Sequence, residues 1–222
     1  MATNSRPLRA DAHRNREQII AAARQVFTEQ GAEAPLEVIA RRAGVGIATL
    51  YRRFPDRGAL ARAVAQDNMA VIIQELDSAE AAEPDAWSVL VRLLRALVRR
   101  RIGALVPLLG PLVLPDLRQD PRSLQEIRST REQIVNRLQP LIWAAQREGR
   151  LRGDIEITDL TLGLIRLSRP IPLIDAEVND AATERQLELF IDGLKAVAAE
   201  DTGLRREAVT AAELDRCLGL PP

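Results

Sequence analysis

Cysteine, histidine and lysine occur once each in this 222-residue chain, and aromatic residues make up only 3% of it. With Cys217 alone, neither an internal disulfide nor a cysteine-rich metal site can form. His13, the sole histidine, excludes a paired-histidine metal site, and in its polar stretch near the N-terminus it is expected to be incidental, not the base of a Ser–His–Asp set or Cys–His pair. No glycine-rich phosphate loop is present either. Catalytic residues, metal ligands and cofactors are therefore none, and the chain is not expected to be an enzyme. Long apolar runs are also missing. Ile102 to Leu114 is shorter than the ~20 residues a membrane span needs, and Pro107, Gly110 and Pro111 interrupt it. Met1 to Asn15 is polar and lacks the apolar stretch of a secretion signal. A cytoplasmic protein with no membrane partner is expected.

What remains is aliphatic, small and charged. Hydrophobic residues form 46% of the chain and charged residues 28%, with Ala, Leu, Arg and Glu favouring helix. No alternation of β-branched residues bounded by turns suggests a strand. The net charge of zero conceals an asymmetry. Residues 1–57 carry ten Arg against six acidic residues, a net of +4, while the remainder holds 21 basic and 25 acidic residues, a net of −4. A basic head on an acidic body suits a polyanion partner. Apart from Lys195 every cation is Arg, in the body as well as the head, which fits GC-rich codon usage better than selection for guanidinium chemistry.

The periodicity predicts an all-α fold. After a polar arm at 1–14, Ile19, Ile20, Ala23, Val26 and Phe27 form a helical stripe ending near Gly31. A short helix begins at Pro35, with Leu36, Ile39, Ala40 and Ala43 on one face, and stops at Gly44. A third runs from about Ala48 to Phe54 and ends at Pro55; Asp56 then caps a long fourth helix. Further helices are expected over Pro84–Arg101, Ile102–Leu117 (broken by its prolines), Arg122–Glu148, Thr158–Ser168 and Ala181–Glu200, with a short one in the tail from Leu204 to Leu218.

Two short helices flanking Gly44-Val45-Gly46 have the spacing of a helix-turn-helix. Leu50 and Phe54, one turn apart, should face the core with Phe27 and Ile39. Ala48, Thr49, Tyr51 and Arg52 then project outward, a surface suited to a major groove and its phosphates.

These residues resemble the TetR family of transcriptional regulators. The likeness lies in Ile39-Ala40, Ala43-Gly44-Val45 and the run from Thr49 to Leu60, with Ile19 to Phe27 and Gly31 upstream, and covers about Asn15 to Val64. A looser likeness covers Leu141 to Leu160. The resemblance implies that Thr49 and Tyr51 contact phosphates, and that Ile47, Ala48 and Arg52 approach base edges or sugars. Arg53 joins this surface, and Arg57 adds a phosphate contact at the start of the fourth helix. Ala34-Pro35, Glu37 and Arg53 depart from the family's usual Ser or Thr cap, Arg and His, which leaves the operator sequence open.

The family also implies a head over 1–57 and a ligand-binding, dimerising body over 58–222, with a homodimer formed through the helices near 158–168 and 181–200. Such a dimer would hold a double-stranded operator with its recognition helices roughly 34 Å apart, and a small apolar effector would release it, as in a repressor. Trp87, Leu94, Leu105, Leu108, Leu112 and Trp143 are the expected lining of an effector cavity loosened by the prolines of 102–115. Arg166, charged amid apolar neighbours, is expected to anchor an acidic ligand or pair across the dimer. An all-α small-molecule carrier and a helical adaptor, neither of which binds DNA, are the alternative readings.

Overall fold

The computed structural model describes residues 5–117, 121–199, 203–204 and 206–217. Helices α1 (Ser5–Gln30), α2 (Leu36–Arg42), α3 (Ile47–Arg53) and α4 (Arg57–Ala82) come first. Then follow α5 (Ala86–Arg99), α6 (Ile102–Leu117), α7 (Pro121–Arg147), α8 (Ile157–Leu167) and α9 (Ala176–Leu194), a single 3-10 turn at Ala196–Ala199, and α10 (Ala211–Cys217). No strand is present among the described residues, so the expected all-α class holds.

The chain enters helix earlier than its apolar stripe suggests. The arm expected to be irregular up to Arg14 is part of α1 from Ser5 onward, while Met1–Asn4 lie outside the described residues. Pro7 sits in the first turn, where its missing N–H is no loss, and Leu8, Arg9, Ala10 and Ala12 are good helix formers. Aspartates set three other starts. Asp56 accepts from the Ala59 amide at 2.7 Å, Asp85 from Ser88 at 2.9 Å and Asp175 from Val178 at 2.9 Å, each capping its helix. Asp175 thereby starts α9 five residues ahead of the expected Ala181. Its end at Leu194 also comes early, because the backbone turns to pair with the α7–α8 loop: Arg152 N donates to Leu194 O at 3.0 Å and Ala196 N to Arg150 O at 3.1 Å.

The prolines of 102–117 do not break α6. Pro107, Pro111 and Pro115 recur every fourth residue, so the hydrogen bonds they forfeit fall on one flank of the helix. On the opposite flank, Leu105, Leu109 and Val113 are buried. That stripe meets the N-terminal helices: Ile19, Val26, Phe27, Ile39, Leu50 and Phe54, the first turns of α4 through Val64, and Leu105, Leu109, Val113 and Ile127 make one apolar core. Fully burying residues of this size contributes roughly 1.5–3 kcal/mol each. A second core joins α5, α7, α8 and α9 through Trp87, Leu94, Ile142, Leu151, Leu160, Leu187 and Ile191. A third links α4, α5 and α6 through Leu76, Leu93, Leu97 and Ile102. Gly103 lets α6 cross α8 at backbone distance, since a Cβ there would stand 2.4 Å from the Leu164 carbonyl oxygen. The tail docks on α7 through Arg131, which donates to Asp215 at 2.9 Å.

Candidate nucleic-acid interface

The turn between α2 and α3 is closed by a double hydrogen bond. Gly44 adopts φ +68°, a left-handed conformation that costs glycine little. This aims Gly44 N at Arg41 O (3.2 Å) and Val45 N at Ala40 O (3.0 Å), the pair of bonds of a Schellman cap. Val45 packs against the core at that point. The chain then starts α3 at Gly46, whose carbonyl accepts from Thr49 N at 2.8 Å and Leu50 N at 3.1 Å.

Because the core captures Leu50 and Phe54, the rest of α3 is forced outward. Tyr51 is 46% exposed and Ile47 36%, while Ala48, Arg52 and Arg53 are exposed and Thr49 half-buried. Arg52 donates to the Thr49 hydroxyl at 3.0 Å, which holds guanidinium and hydroxyl together on one ridge. The ridge is rigidly mounted. Arg42 on α2 pairs with Glu29 on α1 at 2.6 Å, and the Arg16 guanidinium lies 5.7 Å from the centre of the Phe54 ring. Six of the seven residues expected at a nucleic-acid surface therefore share one exposed segment.

The seventh is placed differently. Arg57 reaches back from α4 and donates to the carbonyls of Ala32 (2.7 Å) and Ala34 (2.6 Å), so its guanidinium satisfies the α1–α2 loop. A neighbouring tie was missed in the sequence. Arg24 on α1 donates to Asn68 Oδ1 at 2.9 Å and pairs with Asp67, both on α4, and burial followed by the charge of Arg100 lowers its pKa. Polar residues about three turns up α4 gave no periodic signal of this contact.

The described members of the expected effector lining are divided between places, with Trp87 and Leu94 in one core. Leu105 belongs to the core shared with the head, and Leu94 is packed among α5, α7 and α8. Trp87 is buried in that second core as well, with one side bordering a groove beside α5. Trp143, on α7, is 57% exposed, and Arg166 is exposed on α8. The side chains of Leu108 and Leu112 lie outside the described residues. The continuity of α6 places Leu105 in the core.

Two family models match the chain. "Bacterial regulatory proteins, tetR family" covers residues 19–64, and "Transcriptional regulator SbtR-like, C-terminal domain" covers 85–196, half of the sequence. A TetR transcriptional regulator from Streptomyces coelicolor is 30% identical over 81% of this chain and 98% of its own, with a TM-score of 0.52. The chain belongs to the TetR family of transcriptional regulators. A TetR regulatory protein from Mycobacterium vanbaalenii is similar to this TetR-family chain at 28% identity, over 85% and 99% of the two chains, with a TM-score of 0.52. A ketosteroid transcriptional regulator of Mycobacterium tuberculosis shares the fold at 18% identity, over 87% and 97%, with a TM-score of 0.55. Comparison with curated proteins found no match. Among the described residues of this regulator, no helix is long and apolar enough to cross a membrane, and no group of His, Cys, Asp or Glu could hold a metal ion.

Proposed function

We propose that this regulator is a cytoplasmic homodimeric repressor that reads a near-palindromic operator with α3 and leaves it when a small molecule binds the body. The observation that carries the reading is the orientation of α3. With Leu50 and Phe54 sunk in the core, Ile47, Ala48, Thr49, Tyr51, Arg52 and Arg53 present a surface with no protein covering it. In a major groove, Arg52 is placed for base edges, Thr49 and Tyr51 for phosphate oxygens, and Arg53 for the flanking backbone. Arg57 supports this surface by holding the loop beneath it, and any phosphate contact it makes is additional.

Residues 1–57 form the head and 58–222 the body in this reading, with α4 serving both through its first turns in the head core. Dimerisation falls to α8 and α9. Val178, Ala182, Arg185 and Leu189 recur at helical spacing along α9, and Val178 and Leu189 are more than half exposed, while Leu187, Ile191 and Leu194 bury the other face. Such an exposed apolar stripe fits a two-fold interface, where each copy covers the other.

The test is titration of the purified dimer against its own upstream region and against genomic fragments selected by binding. Bound fragments should share two half-sites with centres about one helical turn apart, and affinity should fall steeply with salt. Indifference to every duplex at low salt would sink the proposal and favour a carrier or adaptor.

A further inference from the structure

A groove beside α5 lies outside the apolar cores, with a smaller one of about 300 Å³ next to it between α5 and α9. The larger groove has a volume of about 500 Å³, within the range of small-molecule sites. Its walls come from α4 (Glu75, Glu83), α5 and the loop after α7 (Arg150). Arg92, Arg95 and Arg99 stand at i, i+3 and i+7 on α5, so one helix face delivers three guanidinium groups to it. Four arginines against two glutamates leave the lining at +2, although the body as a whole is acidic. Trp87, Val91 and Ala96 supply an apolar floor.

The pairing of these arginines shows what kind of group they accept. Arg95 holds the Glu188 carboxylate with both oxygens at 3.0 Å from Nη2, Arg92 meets Glu83 at 3.2 Å and Arg99 meets Glu184 at 3.5 Å. Arg150 acts by its charge on Asp85, the cap of α5, whose pKa it helps to lower after the hydrogen bonds from Ser88. The helix dipole accounts for a cation at the last turn of α5, such as Arg99, but not for Arg92 and Arg95 in mid-helix. A planar guanidinium set over an apolar floor is the complement of an acid head carrying a hydrocarbon body.

We propose that the α5 groove binds a small amphipathic anion, its carboxylate or phosphate held by Arg92 and Arg150 and its apolar part laid on Trp87, Val91 and Ala96. This rests on the reading of the body as effector-responsive, and replaces a purely apolar effector with an acidic one. Glu83, the residue that follows α4, competes for Arg92, so an anion entering the groove loosens the tie between α4 and α5. That gives the ligand a differential hold on two arrangements of the body, which any effector requires.

The experiment uses full-length dimer carrying Trp143→Phe, which leaves Trp87 as the only indole. Octanoate, octyl phosphate and octanol are titrated while Trp87 emission is followed, without DNA. At least one of the two anions should saturate the signal and octanol should not, and the better anion identifies the head group. Arg150→Gln and Arg92→Gln should each weaken binding about tenfold or more, as expected for a lost charge-assisted bond. Equal response to octanol, no saturation by either anion, or undiminished binding by both variants would overturn the proposal. DNA is absent from the measurement, so its failure leaves operator binding standing, and failure of operator binding leaves this result standing.

Discussion

In the head, α1, α2, α3 and the start of α4 close with one flank of α6 around one apolar core, and side chains excluded from that core form the proposed nucleic-acid surface. In the body, two further cores share the helices between them, and α9 is attached to α5 and the turn after it by ion pairs as well as by burial: Arg95–Glu188, Arg99–Glu184 and Arg101–Asp180. A single core shared by short helices leaves little choice about which of their residues point outward. Several cores joined by long helices allow a site to be assembled from residues far apart in sequence. The head's surface therefore follows from its local pattern, whereas the body's groove depends on how its helices pack.

The largest effect that could break this contrast is expected at Leu105, which lies on a body helix yet fills the head's core. Leu105→Ala should lower unfolding free energy by about 2–5 kcal/mol in urea titrations. An unchanged stability would mean that Leu105 lines open space, as an effector-cavity residue would. Next comes the α6–α8 crossing. Gly103→Ala puts a methyl group against the Leu164 backbone, which cannot swing aside as a side chain can, and about 1–3 kcal/mol should be lost in the same assay. Gly163→Ala, which meets the Phe190 ring instead, should cost less.

The smallest effect concerns the brace between the α7–α8 loop and the end of α9. Arg152 grips both carboxylate oxygens of Asp154, at 2.6 and 2.9 Å, and that pairing, the largest cause, holds the acid near a pKa of about 2. A carboxylate depressed in the folded state stabilises it above its ordinary range, near 3.8, and this contribution disappears as pH falls through about 2. Acid melting curves of the parent and Asp154→Asn should therefore differ above pH 4 and converge toward pH 2. Curves separated by a constant gap across that window would show that the pair does not carry the brace.

Much of the head was legible because its signals are local. Gly44 at a left-handed turn, Pro55 and Asp56 as stop and cap, and the Leu50–Phe54 spacing each act within a few residues. The body's helices were legible for the same reason, but their contacts were not. A proline run reads as a break, yet in α6 the prolines share one flank and the helix continues. Asp175 was overlooked as the cap that starts α9, and the strand-like pairing of Leu151 with Lys195 that ends it joins distant residues. Arg57 reads as a phosphate contact from its place beside α3, but only the folded loop shows the Ala32 and Ala34 carbonyls waiting for it. Arg92, Arg95 and Arg99 share one helix face by their i, i+3, i+7 spacing, but the groove also needs Glu75 and Arg150 from distant parts of the chain, and of the described effector-lining side chains only Trp87 borders it.

The most direct measurement compares the parent with the Tyr51→Ala/Arg52→Ala double variant for binding to a selected operator fragment. Fluorescence anisotropy would follow binding, with melting temperature and sedimentation measured alongside. The exposed position of both side chains predicts loss of specific binding by about tenfold to several hundredfold, with fold and dimer intact. A double variant that is folded, dimeric and still binds the operator as tightly as the parent would contradict the assignment of α3 as the reading helix.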